Sequence, residues 1–292
     1  MSTAALLQPG ATFVLNAGFA WLAGTLCARA WLARGHPALF AHCATQLQRA
    51  AIGACVACLG GSLAALWAAA ALMADVGLGK AFGMLPMVVQ QTAYGHAALA
   101  GIVAAGVLLA LLWAPRWHGS AAATGIALLL FALSRVALGH AGENGLLTLA
   151  AAVEWLHLVL VGAWVGAVML AAWVILPAAR RHGTAVQAYL RWLSAVATLA
   201  LAGIVASGLF NTWQRLGRLG QLVDNPYGLA LCVKLALVAM AVLLGAYNRW
   251  YGFPHAVRGR LRPALLVLRL EALLLLGAIG AAAWLVTLPP PA

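Results

Sequence analysis

Eight stretches of about twenty or more apolar residues follow one another along the chain, each long enough as a helix to cross the roughly 30 Å hydrocarbon layer of a bilayer. They occupy residues 11–33, 50–74, 88–113, 121–141, 148–176, 190–210, 228–248 and 264–287. In lipid the backbone polar groups of such segments must be satisfied within each segment or in a closed barrel, and these runs have helix length. The expected fold is therefore all-α, a polytopic membrane protein built as a bundle of eight transmembrane helices, with residues 1–292 forming a single transmembrane domain. With 65% apolar and only 8% charged side chains, a soluble globular domain is excluded. Breakers separate the runs at Pro115 and Gly119, Gly142 to Gly145, Pro177, Pro226 and Pro263. The opening MSTAALLQPG lacks the basic region of a cleaved signal, so the first run is expected to remain as a span.

Charge fixes the expected orientation. The chain has 17 Lys and Arg against 5 Asp and Glu, a net charge of +12 that in a soluble protein would suggest nucleic acid. Here the excess lies in short connections, so no nucleic-acid partner is expected and topology explains it. Odd-numbered connections and their helix ends carry Arg29, Arg34, Arg49, Arg116, Arg180, Arg181, Arg191, Arg249, Arg258, Arg260 and Arg262; even-numbered ones carry Lys80, Arg215 and Arg218. Odd connections are thus predicted to be cytoplasmic and both termini to face outward, which in a Gram-negative bacterium means the periplasm. The basic stretch from His255 to Arg262 reads as an anchor at the lipid surface. Five cysteines, an odd number lying in or beside apolar runs, do not suggest a disulfide framework.

Against this apolar background the ionisable residues stand out. Glu154 and His157 are three residues apart in the fifth run, hence on one helix face, and intramembrane charge marks a pathway or an ion site. The predicted orientation places Glu154 about 9 Å, His96 about 12 Å and His157 about 13 Å below the outer boundary, with His140 near the outer end of the fourth span. Neutral imidazole ligates copper, zinc and haem iron, and a nearby carboxylate orients a ring or takes a proton. His96, His140, His157 and Glu154 are therefore the candidate metal site.

Other residues are weighed around it. Met84 and Met87, in GMLPM of the second connection near Met73, offer soft thioethers suited to Cu(I), or serve as apolar filler. Cys55 and Cys58, with Cys43, His36 and His42 in the preceding loop, could form a cytoplasmic exit site, or pack as small apolar residues. Arg135 is expected as a counter-charge, with Glu154 as partner by depth and Lys234 competing for the same carboxylate. Gly162 and Gly166 give the G-x-x-x-G spacing that lets helices approach closely. Trp164, two turns from His157, would wall the floor of the polar pocket.

These stretches resemble the copper-resistance D family of bacterial inner-membrane proteins. The resemblance rests on SRVALGHAGENG in the fourth span, EWLHLVLVGAWVG in the fifth, SGLFNTWQRLG after the sixth, and NPYGLALCVKLALV with GAYNR on the seventh, over roughly the C-terminal two thirds. It points to His140, Glu154 and His157, with Trp164, Asn211, Trp213, Tyr227 and Lys234 as further motif positions. It implies copper handling, described for the family as copper movement toward the cytoplasm alongside a periplasmic copper-binding protein, here a separate chain.

The expected function is inner-membrane copper transport or delivery linked to copper resistance and homeostasis, with a copper ion as cargo and the lipid bilayer as surroundings. No enzymatic activity is expected, and no G-x-x-x-x-G-K-[ST] motif is present to supply ATP. The rival expectation is a membrane oxidoreductase holding haem b between two of the three His residues, chiefly His96 and His157. Reporter fusions test the orientation on which the depths depend. Those at the C-terminus or in the Gly142 to Gly145 turn should read as periplasmic and those near Arg180 or Arg258 as cytoplasmic; the reverse pattern would move His96 and His157 to the inner half.

Overall fold

The computed structural model describes residues 2–114, 120–143, 145–179, 183–215 and 225–288. The expected breakers Pro115 and Gly119, Asn144 in the turn after the fourth span, and the orientation markers Arg116, Arg180, Arg181 and Arg218 lie outside these residues, as do the side chains of His140 and Arg215.

The described residues form eight main helices: α1 (Thr3–Gly35), α2 (Pro37–Met73), α3 (Ala93–Trp113), α4 (Ser120–Ala137), α5 (Leu149–Leu170), α6 (Gly183–Arg215), α7 (Pro226–Tyr247) and α8 (Leu261–Leu285). No strand occurs among the described residues. Seven of these helices are long and apolar enough to cross a membrane. The eighth, α4, has 18 residues, a length of about 27 Å that falls just short of the hydrocarbon thickness.

Several ends differ from the apolar runs for identifiable reasons. Only His36 separates α1 from α2, because Pro37 opens α2 at a position where its missing N–H is no loss. The segment expected to be a loop before residue 50 is the first third of α2: Leu39, Cys43 and Leu47, four residues apart, are buried on one face while polar side chains occupy the others. The third run does not begin smoothly at residue 88. A short helix, Leu85–Gln91, ends at Thr92, whose extended backbone and side chain cap α3 by accepting from the Gly95 N–H at 2.9 Å. Gly95 is required there, since a Cβ would strike the Val88 carbonyl.

Pro177 does not end the fifth span. α5 passes through a π-helical turn, Ala171–Ile175, and then Leu176–Ala178. At the end of α7 the same arrangement recurs, with a π-helical turn at Asn248–Gly252 followed by Phe253–Val257, which contains Pro254. Each wide turn lies just before a proline, where an α-helix would lose a hydrogen bond and crowd the carbonyl four residues back.

Packing is organised around α1 and α5. α1 contacts α2, α5 and α8; α3 packs on α2 and α4. Where α1 crosses α5, Gly24 faces Gly166 backbone to backbone: a Cβ on either would overlap main-chain atoms of the other helix, including the Ala20 carbonyl. Gly162, one turn earlier, is covered by the Phe19 ring. The G-x-x-x-G spacing thus serves close approach to α1. By contrast α6 packs on α5, and α7 on α8, from the periphery; 17% and 11% of their most apolar stretches are buried, against 61% for α5.

Because the α1–α5 contact leaves no room for a side chain, Gly166→Leu should abolish recovery of monodisperse protein in mild detergent. Gly166→Ala should lower stability by about 1–3 kcal/mol or more, the usual overpacking range, read as a lower melting temperature. An unchanged melt for Gly166→Ala would show that α1 and α5 are not in backbone contact.

Candidate functional site

Glu154 and His157 leave α5 on the side away from Gly162 and Gly166, and there they meet α6. Asn211 Nδ2 donates to Glu154 Oε2 at 2.8 Å. One turn further, His157 Nδ1 lies 2.9 Å from Ser207 Oγ. Ser207 and Asn211 are four residues apart and Glu154 and His157 three, so both pairs form at one helix–helix seam. The imidazole lies over Gly208, its Cε1 3.7 Å from where a Cβ would stand.

The hydroxyl of Ser207 favours one histidine tautomer. It lies 2.6 Å from the Gly203 carbonyl of its own helix, the usual back-bond of a helical serine. A Ser207 hydroxyl that donates to this carbonyl accepts from His157, an arrangement in which Nδ1 carries the ring hydrogen of neutral imidazole. Nε2 is then the basic nitrogen, the one that can ligate a metal, and the Ser207 bond fixes the ring orientation as ligating histidines require. Glu154, bonded to the Asn211 amide, places a carboxyl in the seam beside the imidazole.

The remaining candidates are distributed more widely. Trp164 is buried in the core about α5. Trp155, next to Glu154, ties α5 to α4 through a 3.1 Å bond from Nε1 to the Leu129 carbonyl. His96 is exposed in the first turn of α3, a helix that packs on α2 and α4. His96 and His157 thus stand on helices with different principal neighbours, α2 and α4 for α3, α1 and α6 for α5. His140 falls in the 3-10 turn His140–Gly142 after α4. Met84 and the exposed Met87 sit in the short helical segments before α3. Among the described residues no group of three or more His, Cys, Asp or Glu is clustered for a metal.

Arg135 and Lys234 are carried by other helices, α4 and α7. Arg135 lines a cavity with room for about one water molecule, together with Ser62, Tyr94 and Ser134, and it interacts with Tyr94 and Cys58. Its buried Nε has no hydrogen-bond partner. Arg135, expected as a partner of Glu154, thus lies in a cavity lined from α2, α3 and α4. Lys234 is on peripheral α7.

Cys55 and Cys58 lie halfway along α2, not at an end, because α2 starts well before the apolar run. Their thiols are buried and face different helices, Cys55 bonding the Ala105 carbonyl of α3 at 3.2 Å and Cys58 the Leu15 carbonyl of α1 at 3.8 Å.

Two residues escaped the sequence reading. Ser207 was visible as the fourth residue before Asn211 on the same face. Glu271 is one of only five acidic residues, lies within the last span and is 3% exposed. The NPYG motif is a helix start: Asn225 caps α7 by accepting from Gly228 N–H at 2.8 Å, with Pro226 in the first turn.

Fold and seam together define a multi-pass, all-helical membrane protein with a histidine–carboxylate pair held between two spans. A family model described as Copper resistance protein D matches residues 187–285, and one described as Copper resistance protein D-like, N-terminal domain, matches residues 1–149. The chain belongs to the copper resistance D family. The matches extend the resemblance to the N-terminus, while the stretch bearing Glu154, His157 and GAWVG lies between them. No curated protein and no solved structure matches the chain.

The seam predicts distinct effects at Glu154. Glu154→Gln keeps an acceptor oxygen for Asn211 and should leave the melting temperature in detergent little changed. Glu154→Leu strands the Asn211 amide and should cost about 1–3 kcal/mol. Equal melts for Leu and Gln would show that the Asn211 bond contributes nothing.

Proposed function

We propose that this protein moves or delivers copper across the bacterial inner membrane toward the cytoplasm, with the α5–α6 seam receiving the ion on the periplasmic side. Membership of the copper resistance D family supports copper as cargo. The single observation that carries the choice of site is the Ser207 bond to His157, which presents Nε2 as the basic nitrogen beside a carboxylate. Glu154 balances the charge of the arriving cation or exchanges a proton with it. A cation crossing inward gains about 2.3 kcal/mol per charge per 100 mV, so no chemical turnover is needed and the protein acts without being an enzyme. A separate periplasmic copper-binding protein would hand over the ion.

Copper accumulation in cells and copper binding by the purified protein test the reading at matched expression. His157→Ala should abolish both. Ser207→Ala leaves the ligand but releases its orientation, and should weaken binding by about 10–100-fold, the range for partners that position a ligating histidine. Wild-type accumulation by both variants would overturn the assignment of the seam.

A further inference from the structure

Glu271 is a mid-membrane carboxyl that the copper reading does not use. It is the eleventh residue of α8, about 15 Å from the start of that helix, and is 3% exposed. Its carboxyl lies against Gly245 of α7, with Oε1 3.0 Å and Oε2 3.5 Å from where a Cβ would stand. It makes no hydrogen bond or ion pair with any described residue. An ordinary packing role does not account for it, since Leu or Met would fill the same seam without bringing a polar group into lipid.

A second polar atom on this seam is also unsatisfied. Asn248, three residues beyond Gly245 and the first residue of the π-helical turn, donates from Nδ2 to the Ala264 carbonyl of α8 at 3.2 Å. Its Oδ1 is buried without a donor. The α7–α8 seam thus holds the Glu271 carboxyl and the buried Asn248 Oδ1, with no hydrogen bond to either from a described residue. The charged and titratable side chains nearest in sequence, Tyr247, Arg249 and Arg269, are all exposed and none pairs with Glu271. Of the other elements packed on α8, α1 carries Cys27, Arg29 and Arg34, α5 carries Glu154 and His157, and the Asn248–Gly252 and Phe253–Val257 turns carry Tyr251 and His255 besides Arg249; no hydrogen bond or ion pair joins any of them to Glu271.

A carboxylate so placed, without a counter-charge, is far costlier than the neutral acid. A metal ion in its place would need several more oxygen ligands than Glu271 and Asn248 supply. We infer that Glu271 is an intramembrane proton-binding site, with Asn248 the next polar group along the α7–α8 seam toward the π-helical turn. Loading is addition of one proton to the Glu271 carboxylate and release is its departure as a hydrated proton; no other bond changes. This assignment uses no copper chemistry, so its failure would leave the reading of the α5–α6 seam untouched.

The test uses the full-length protein in liposomes, first without any substitution. A hydrophobic carbodiimide, which reacts with protonated carboxyls in apolar surroundings, should modify Glu271 in preference to Asp75 and Glu143, as read by peptide mass spectrometry. Labelling should fall about ten-fold per pH unit above the midpoint. In acid–base infrared difference spectra a carboxylic-acid band should vanish on alkalinisation and be missing from Glu271→Gln, which keeps the shape but holds no titrating proton. A wild-type spectrum without such a band, or a band unchanged in Glu271→Gln, would overturn the assignment, as would labelling of Glu271 that does not vary with pH.

Discussion

The crossing of α1 and α5 at Gly24 and Gly166 is the contact from which the remaining geometry follows. Two helices in lipid have no hydrophobic drive to associate, so close main-chain packing has to supply the attraction. Here both backbones are bare at the crossing, and Phe19 fills the space over Gly162. With one side of α5 committed to α1, its opposite side is the only place for Glu154 and His157. That side is taken by α6, a peripheral helix that contributes Ser207 and Asn211. The small residues and the polar residues of α5 are thus two halves of one arrangement.

The seam also shows how a membrane protein makes one histidine chemically definite. A serine in a helix has a carbonyl four residues back as a ready acceptor, and Ser207 uses it. That local bond, set by helix geometry alone, determines which nitrogen of a residue on another helix carries the proton. Family membership relates the chain to copper resistance, and the proposal of His157, among the eight histidines of the chain, as the receiving ligand rests on this hydrogen-bond polarity.

Much of the bundle was legible in the sequence because membrane thickness imposes a length on apolar runs, and all eight runs correspond to helices. What hydropathy alone could not show was structure carried by one face or by chain stereochemistry. The start of α2 was hidden because three buried residues among polar ones do not raise a mean. Pro177 suggested an end, yet a π-helical turn absorbed it. Glu154 and His157 were legible as costly residues on a shared face, but their partners were not, since Ser207 is too small and too common to be conspicuous. Arg135 was legible as buried charge, whereas its direction toward Tyr94 and Cys58 depends on helix rotation that depth does not fix. Glu271 was overlooked inside a leucine-rich run whose average masked it.

The π-helical turns have a consequence for how the long helices divide. A helix that accommodates one extra residue without breaking is rotated by about 100° beyond that point. The part of α5 before Ala171 and the short piece from Leu176 to Ala178 therefore share an axis but not a phase. Before the turn, Gly162 and Gly166 face α1; the turn itself, with Ala171, Ala172 and Ile175 buried, packs on α2 and α8. One continuous span thus addresses two sets of neighbours in succession, changing the face it offers without a loop, at a depth where lipid would not tolerate one.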